Sequence, residues 1–174
     1  MPLTPLHGLA VLFPYFKNKR IIDPLALFAS AAIVDLEPVY YFLMGESLDH
    51  RIWHGFALTL TIYPVLIGLT VYIVERLFEN RLWSTYNALK FKPEKVKYPL
   101  VITYLCCLVG GFSHVFFDMF THESMPYVIY PLVFGNPFYI GQAAIVVEVA
   151  VVALSVYSVF CWSKMQKLDW HRVC

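Results

Sequence analysis

The stretch Ser113–His122 reads SHVFFDMFTH and places His114, Asp118 and His122 at steps of four. Residues four apart on a helix differ by about 40° in azimuth, so His114 and Asp118 can face one point. His122 drifts toward the edge of that stripe or into the loop that follows. Two ligands at i and i+4 are the device used by the histidines of His-Glu-x-x-His. Mixed imidazole and carboxylate ligands suit zinc first, then manganese or iron. Several carboxylates leave room for one ion or two. A bound divalent ion lowers the pKa of a water and polarises a phosphoryl or carbonyl oxygen, so metal-assisted hydrolysis is the reaction class this stripe suggests.

Other costly polar groups sit in apolar surroundings. Asp35 and Glu37 interrupt the run Pro24–Met44, His54 begins Ile52–Phe78, His7 lies in Leu3–Phe16, and Gln142 and Glu148 lie in Pro137–Trp162. Ionisable residues inside a membrane span usually mark function. The plainer readings are a hydrogen-bonded His114–Asp118 pair that stiffens a bundle, a Glu37 that reaches the interface, and a His122 favoured by a helix C-terminus. Glu148 reads as a hydrogen-bond partner or as an outer residue that orients a histidine. His50 and Arg51 are ordinary loop residues, or they steady an anionic substrate group.

The elements that must position these groups are spans. The chain of 174 residues is 59% hydrophobic with mean hydropathy +0.62, too apolar for one soluble core. Pro24–Met44, Ile52–Phe78, Pro99–Thr121 and Pro137–Trp162 are each long enough to cross ~30 Å of hydrocarbon. The expected fold is an all-α, polytopic membrane helix bundle: four long transmembrane helices plus a shorter N-terminal helix, a single membrane domain over 1–174. Residues 79–98 read as a cytoplasmic amphipathic loop. Residues 122–136 read as an outward loop that lies on the membrane surface or folds back over the bundle.

Thirteen Lys and Arg are present, and with alternating spans all but Arg51 fall on one face. That face is expected to be cytoplasmic, with the C-terminus inside. Helix direction then gathers Asp35, Glu37, His54, His114 and His122 in the outward half. His114 comes roughly 12 Å from the outward end at ~1.5 Å per residue, and the cytoplasmic half looks dry. A multi-pass protein of the cell (inner) membrane follows, with its site facing outward. The net charge of +1 gives no reason to expect nucleic acid. Cys106, Cys107, Cys161 and Cys174 include no Cys-x-x-Cys and read as packing residues. The N-terminus lacks a basic segment before its apolar stretch, and a retained segment is expected. Gly110 and Gly111 are expected to admit a close neighbouring helix.

Four stretches in order, TPLHG, IVDLEPVYYF, DHRIWHGF and GGFSHVFFDMFTH, resemble the membrane-bound metal-dependent hydrolases. This bacterial and archaeal family includes a LexA-regulated inner-membrane member. Its pattern is Thr-x-x-His, Pro-Asp-hydrophobic-Asp, His-Arg-Gly-x-Thr-His-Ser and Ser-His-x-x-x-Asp-x-x-Thr. The resemblance implies that His7, Asp35, Glu37, His54, His114 and Asp118 take metal-site positions, with His50 and Arg51 at the family's His-Arg. This chain has Val34 for Pro and Glu37 for Asp, and its two histidines of the third motif are one residue closer.

The expected function is metal-dependent hydrolysis of a lipid or lipid-linked phosphoester, with membrane lipids as surroundings. In that expectation His7, Asp35, Glu37, His54, His114, Asp118 and His122 hold metal. Glu37 and Asp118 do the chemistry, His50 and Arg51 bind substrate, and Glu148 supports. Two alternatives stay open: a metal-ion or proton transporter that relays through this cluster and Glu148, and a scaffold stapled by metal.

Overall fold

Three prolines punctuate the apolar runs, and the helices break where each proline removes a hydrogen bond. Proline has no N–H for the carbonyl four residues earlier. Pro14 fails to reach Ala10, and helix α1 (Thr4–Ala10) stops there before α2 (Phe13–Lys17). Pro38 fails to reach Val34, and the span divides into α3 (Pro24–Ile33) and α4 (Leu36–Leu43). The Glu37 amide takes the Val34 oxygen instead, at 3.2 Å. Pro64 fails to reach Leu60, which separates α5 (Phe56–Thr59) from α6 (Ile62–Leu77). The structure is a computed structural model and describes residues 4–47, 50–91 and 93–167.

The remaining helices are α7 (Glu79–Ala88), α8 (Leu100–Thr121) and α9 (Gly141–Lys167). The protein is all-helical, with four helices long and apolar enough to cross a membrane: Pro24–Leu43, Phe56–Leu77, Leu100–Thr121 and Ala144–Gln166. Their outer faces carry exposed Val65, Leu66, Leu69, Ile145, Val146 and Val149, the side chains a bilayer would cover. It is a multi-pass membrane protein. Three expected spans shift. The first is broken at Val34–Asp35, and the second opens with a 3₁₀ turn, Ile52–His54. The last starts at Gly141 rather than Pro137, because Asn136 turns the chain and its side-chain oxygen accepts from the Phe138 amide.

Helix α8 is the central element. It packs most extensively on α3 and α6, and α9 covers α1 and α2. Gly110 and Gly111 make the packing on α8 possible. A Cβ at Gly110 would run into Ser30 Oγ and the Leu27 carbonyl of α3, and one at Gly111 would sit 2.9 Å from the Tyr63 ring of α6. Apolar packing at one end joins Val34, Tyr63, Val115, Met119, Met125 and Val128. Residues 122–136 therefore fold back over the bundle, with Met125 and Val128 buried. Asn136 Nδ2 donates to the carbonyls of Met119 and His122, both at 2.7 Å, and closes the end of α8. Cys106 and Cys107 are buried free thiols, and Cys161 is also free. Of the basic residues used to orient the chain, Lys92 and Arg172 lie outside the described residues, as does His171.

Candidate metal centre

The helix breaks and turns bring five imidazoles and two carboxylates to one end of the bundle. Val34–Asp35 is the α3/α4 break, so Asp35 faces α8 across the kink. His114 Nε2 lies 3.1 Å from Asp35 Oδ1 and 3.1 Å from Asp118 Oδ2. It forms a hydrogen bond of good geometry with neither. His54 Nε2 stands 3.4 Å from Asp35 Oδ1. Around Asp118 lie His50 Nε2 at 3.6 Å, His7 Nε2 at 3.7 Å and His122 Nε2 at 4.0 Å. His7, His54, His114 and Asp118 are all 3% exposed or less, which is deep enough that unpaired charge would be costly.

The rings crowd one another as well. His7 and His114 have centroids 4.5 Å apart, His50 and His54 4.3 Å, and His50 stacks on His122 at 4.4 Å. Several inward-facing atoms have no hydrogen bond: both oxygens of Asp118, both ring nitrogens of His114 and His122 Nε2. Donor atoms crowded on one another this closely, in a buried place where polar atoms need partners, fit a cation. Burial lowers His7, with help from the neighbouring His114, and lowers His122 to about 4. Both shifts favour the neutral ring, the form that keeps a nitrogen lone pair for a metal. Asp35, His54, His114 and Asp118 could hold one ion together, and His50, Asp118 and His122 form a second such group.

Three expected residues change place. Glu37 stands behind His54. Its Oε2 accepts from the Arg51 amide and from His54 Nδ1, both at 2.9 Å, and its Oε1 accepts from the Trp53 amide at 3.0 Å. Both oxygens of Glu37, expected as metal ligand and general base, are thus engaged by the 51–54 turn. With Nδ1–H donated to Glu37, the Nε2 lone pair of His54 faces Asp35. A carboxylate behind a ligating histidine fixes tautomer and ring orientation in this way. His50, expected on a substrate loop, is 7% exposed and joins the centre, because Glu37 pins the 51–54 turn beside it. Glu148, expected to support a histidine, is exposed on α9 and has no hydrogen bond or ion pair among the described residues.

Arg51 keeps a place at the rim. Its guanidinium pairs with Glu46 and stacks 3.8 Å over the Tyr41 ring. Two cavities lie close by: one reaches the centre at His50, and the other stops at Glu37 behind His54. A polar one of about 460 Å³ is lined by His50, Arg51, Glu123, Ser124 and Tyr127, among others. An apolar one of about 300 Å³ runs between α4 and α6, lined by Leu36, Glu37, Tyr40, Trp53 and Leu66 among others.

The far end of the bundle holds what the sequence reading missed. Asp23 and Glu75 are both fully buried, and their carboxyl groups interact electrostatically. Asp23 also accepts from Thr103 Oγ1 and the Ala26 amide, both at 2.9 Å, and Glu75 accepts from the Tyr98 amide at 3.0 Å. Burial raises the Asp23 pKa and these two donors pull against it. That half of the bundle is not dry, as expected, but polar at its end. A Glu inside an apolar run was the signal available.

The chain matches, over residues 1–168, the family described as a domain of unknown function (DUF4184), and it belongs to that family. No curated protein and no solved structure matches it significantly.

Proposed function

We propose that this DUF4184 member is an integral-membrane, metal-dependent hydrolase acting on a lipid or lipid-linked phosphoester. The carrying observation is the set of imidazoles and carboxylates, nearly all buried, whose ligand atoms converge within 4.8 Å of one another. The resemblance to membrane-bound metal-dependent hydrolases points the same way. A divalent ion held there, zinc foremost, supplies Lewis acidity and a water of lowered pKa.

The chain's own residues do the rest. Asp35, His54, His114 and Asp118 hold the ion, with His7 beside Asp118. Glu37 orients His54. Arg51 meets an anionic headgroup in the polar cavity, where the headgroup competes with Glu46 for the guanidinium. Glu123 lines that cavity, and its side chain has no hydrogen bond or ion pair among the described residues, so it accepts the proton of the attacking water. The apolar cavity, open between membrane-facing helices, takes an acyl chain. The basic residues opposite the site favour a cytoplasmic C-terminus in the cell (inner) membrane, with the site facing outward.

The test uses the purified chain in nanodiscs of mixed phospholipids, loaded with Zn²⁺ or Mn²⁺. Mass spectrometry should show released headgroup or phosphate. Release should fall at least 100-fold in Asp118→Ala with helical circular dichroism intact. No release from any lipid or phosphoester offered would overturn the reading. The Asp23–Glu75 pair favours a second one, a proton-coupled transporter with acids at both ends of the bundle. Metal uptake into proteoliposomes, abolished by Glu75→Gln, would establish it in place of hydrolysis.

A further inference from the structure

The donors outnumber what one ion can use. Zinc sites close with four ligands, and octahedral ions take six. Five imidazoles and two carboxylates converge here. Six of the seven divide into Asp35, His54, His114 and Asp118 on one side, and His50, Asp118 and His122 on the other, with His7 beside Asp118. In each group the ligand atoms lie within 4.8 Å of one another. We propose that these are two metal sites of one binuclear centre, bridged by Asp118.

Asp118 has the geometry for a bridge. Its Oδ2 faces His114 of the first group at 3.1 Å and His50 of the second at 3.6 Å. Its Oδ1 faces His122 at 4.0 Å and His7 at 3.7 Å. Both oxygens face imidazole nitrogens, and the residue is 1% exposed. His122 Nε2 is likewise buried without a hydrogen bond, although its ring stacks on His50.

The two sites are unequal. The first has four protein ligands, the count of a closed site. The second has three, the count of a catalytic site that keeps a position for water or substrate. His50 also lines the polar cavity, so the open position faces the space that Arg51 and Glu123 share. On the hydrolase reading, on which this assignment of roles rests, the second site meets the substrate and the first holds the fold of the centre. Two-metal hydrolytic sites place their ions about 3.5–4 Å apart, a spacing one bridging carboxylate spans.

The experiment reads metal content directly. The full chain in detergent is equilibrated with Zn²⁺, desalted and measured by mass spectrometry of the metal. Two zinc ions per chain are expected, and one in His50→Ala/His122→Ala. With Co²⁺ in place of zinc, the wild type should show spin coupling between the ions, and the double variant none. One ion in the wild type, retained in the variant, overturns the second site and leaves a mononuclear hydrolase. Two ions in both overturns the assignment to His50 and His122. No metal in the wild type overturns both readings. If the double variant loses its helical spectrum, the wild-type zinc count and Co²⁺ coupling decide alone.

Discussion

Two carboxylates two positions apart have separate roles in this centre. Asp35 faces the imidazoles across the α3/α4 kink, while Glu37 turns to the 51–54 turn and spends both oxygens on Arg51, Trp53 and His54. The distinction is testable. Glu37→Gln should weaken metal binding by about 10–100-fold while the ion count at saturation stays unchanged, because an outer partner tunes a ligand rather than replacing it. Competition against a chelator, alongside metal analysis, measures both. Loss of a whole equivalent at saturation would return Glu37 to the ligands. The spacing of His114 and Asp118 was readable from the chain because both sit on one regular helix. The position of Glu37 was not, because its partners come from a turn that no periodicity describes.

Helices place these residues by where they stop. The breaks before Pro14, Pro38 and Pro64 follow from one missing donor each, and they put His7 near a helix end and Asp35 on a kink. Close helix approach does the remainder. Gly110 and Gly111 let α3 and α6 lie against α8, which carries His114 four and three residues further on. Gly110→Leu should therefore cost about 1–3 kcal/mol through overpacking, seen as a lower melting temperature in detergent. It should also lower metal content, since α3 would carry Asp35 away from His114. A variant that melts lower yet keeps its full metal content would show the site tolerates that separation. The glycine pair was legible as a contact point, but which helices it met was decided by the fold.

Across the whole molecule the two ends differ. One end gathers imidazoles and carboxylates under the 122–136 loop. The other holds Asp23 and Glu75, ringed by Thr103 and Tyr98, with the ion pairs Lys97–Glu79 and Arg20–Glu94 outside. In the orientation proposed above, that end faces the cytoplasm. Single cysteines at Ser124 and Lys97, in a background lacking the native ones, test this with an impermeant maleimide on intact cells. Ser124→Cys should label and Lys97→Cys should not. The reverse pattern would invert the membrane orientation proposed for the site.

The amino-acid sequence by itself determined that this is a helical membrane protein with histidines and acids where apolar residues are expected. Those properties are local: hydropathy over about 20 residues sets a span, and a step of four sets a helical face. It also contained the helix breaks, since a proline acts on a carbonyl four residues away. Only the tertiary structure decided that His50 enters the centre, that Glu37 backs His54, that Glu148 stays on the surface and that Asp23 meets Glu75. Each of these depends on which elements lie side by side. Asp23 and Glu75 are separated by half a bundle in sequence, and side-chain pairing over such a distance follows from packing around α8, not from any pattern along the chain.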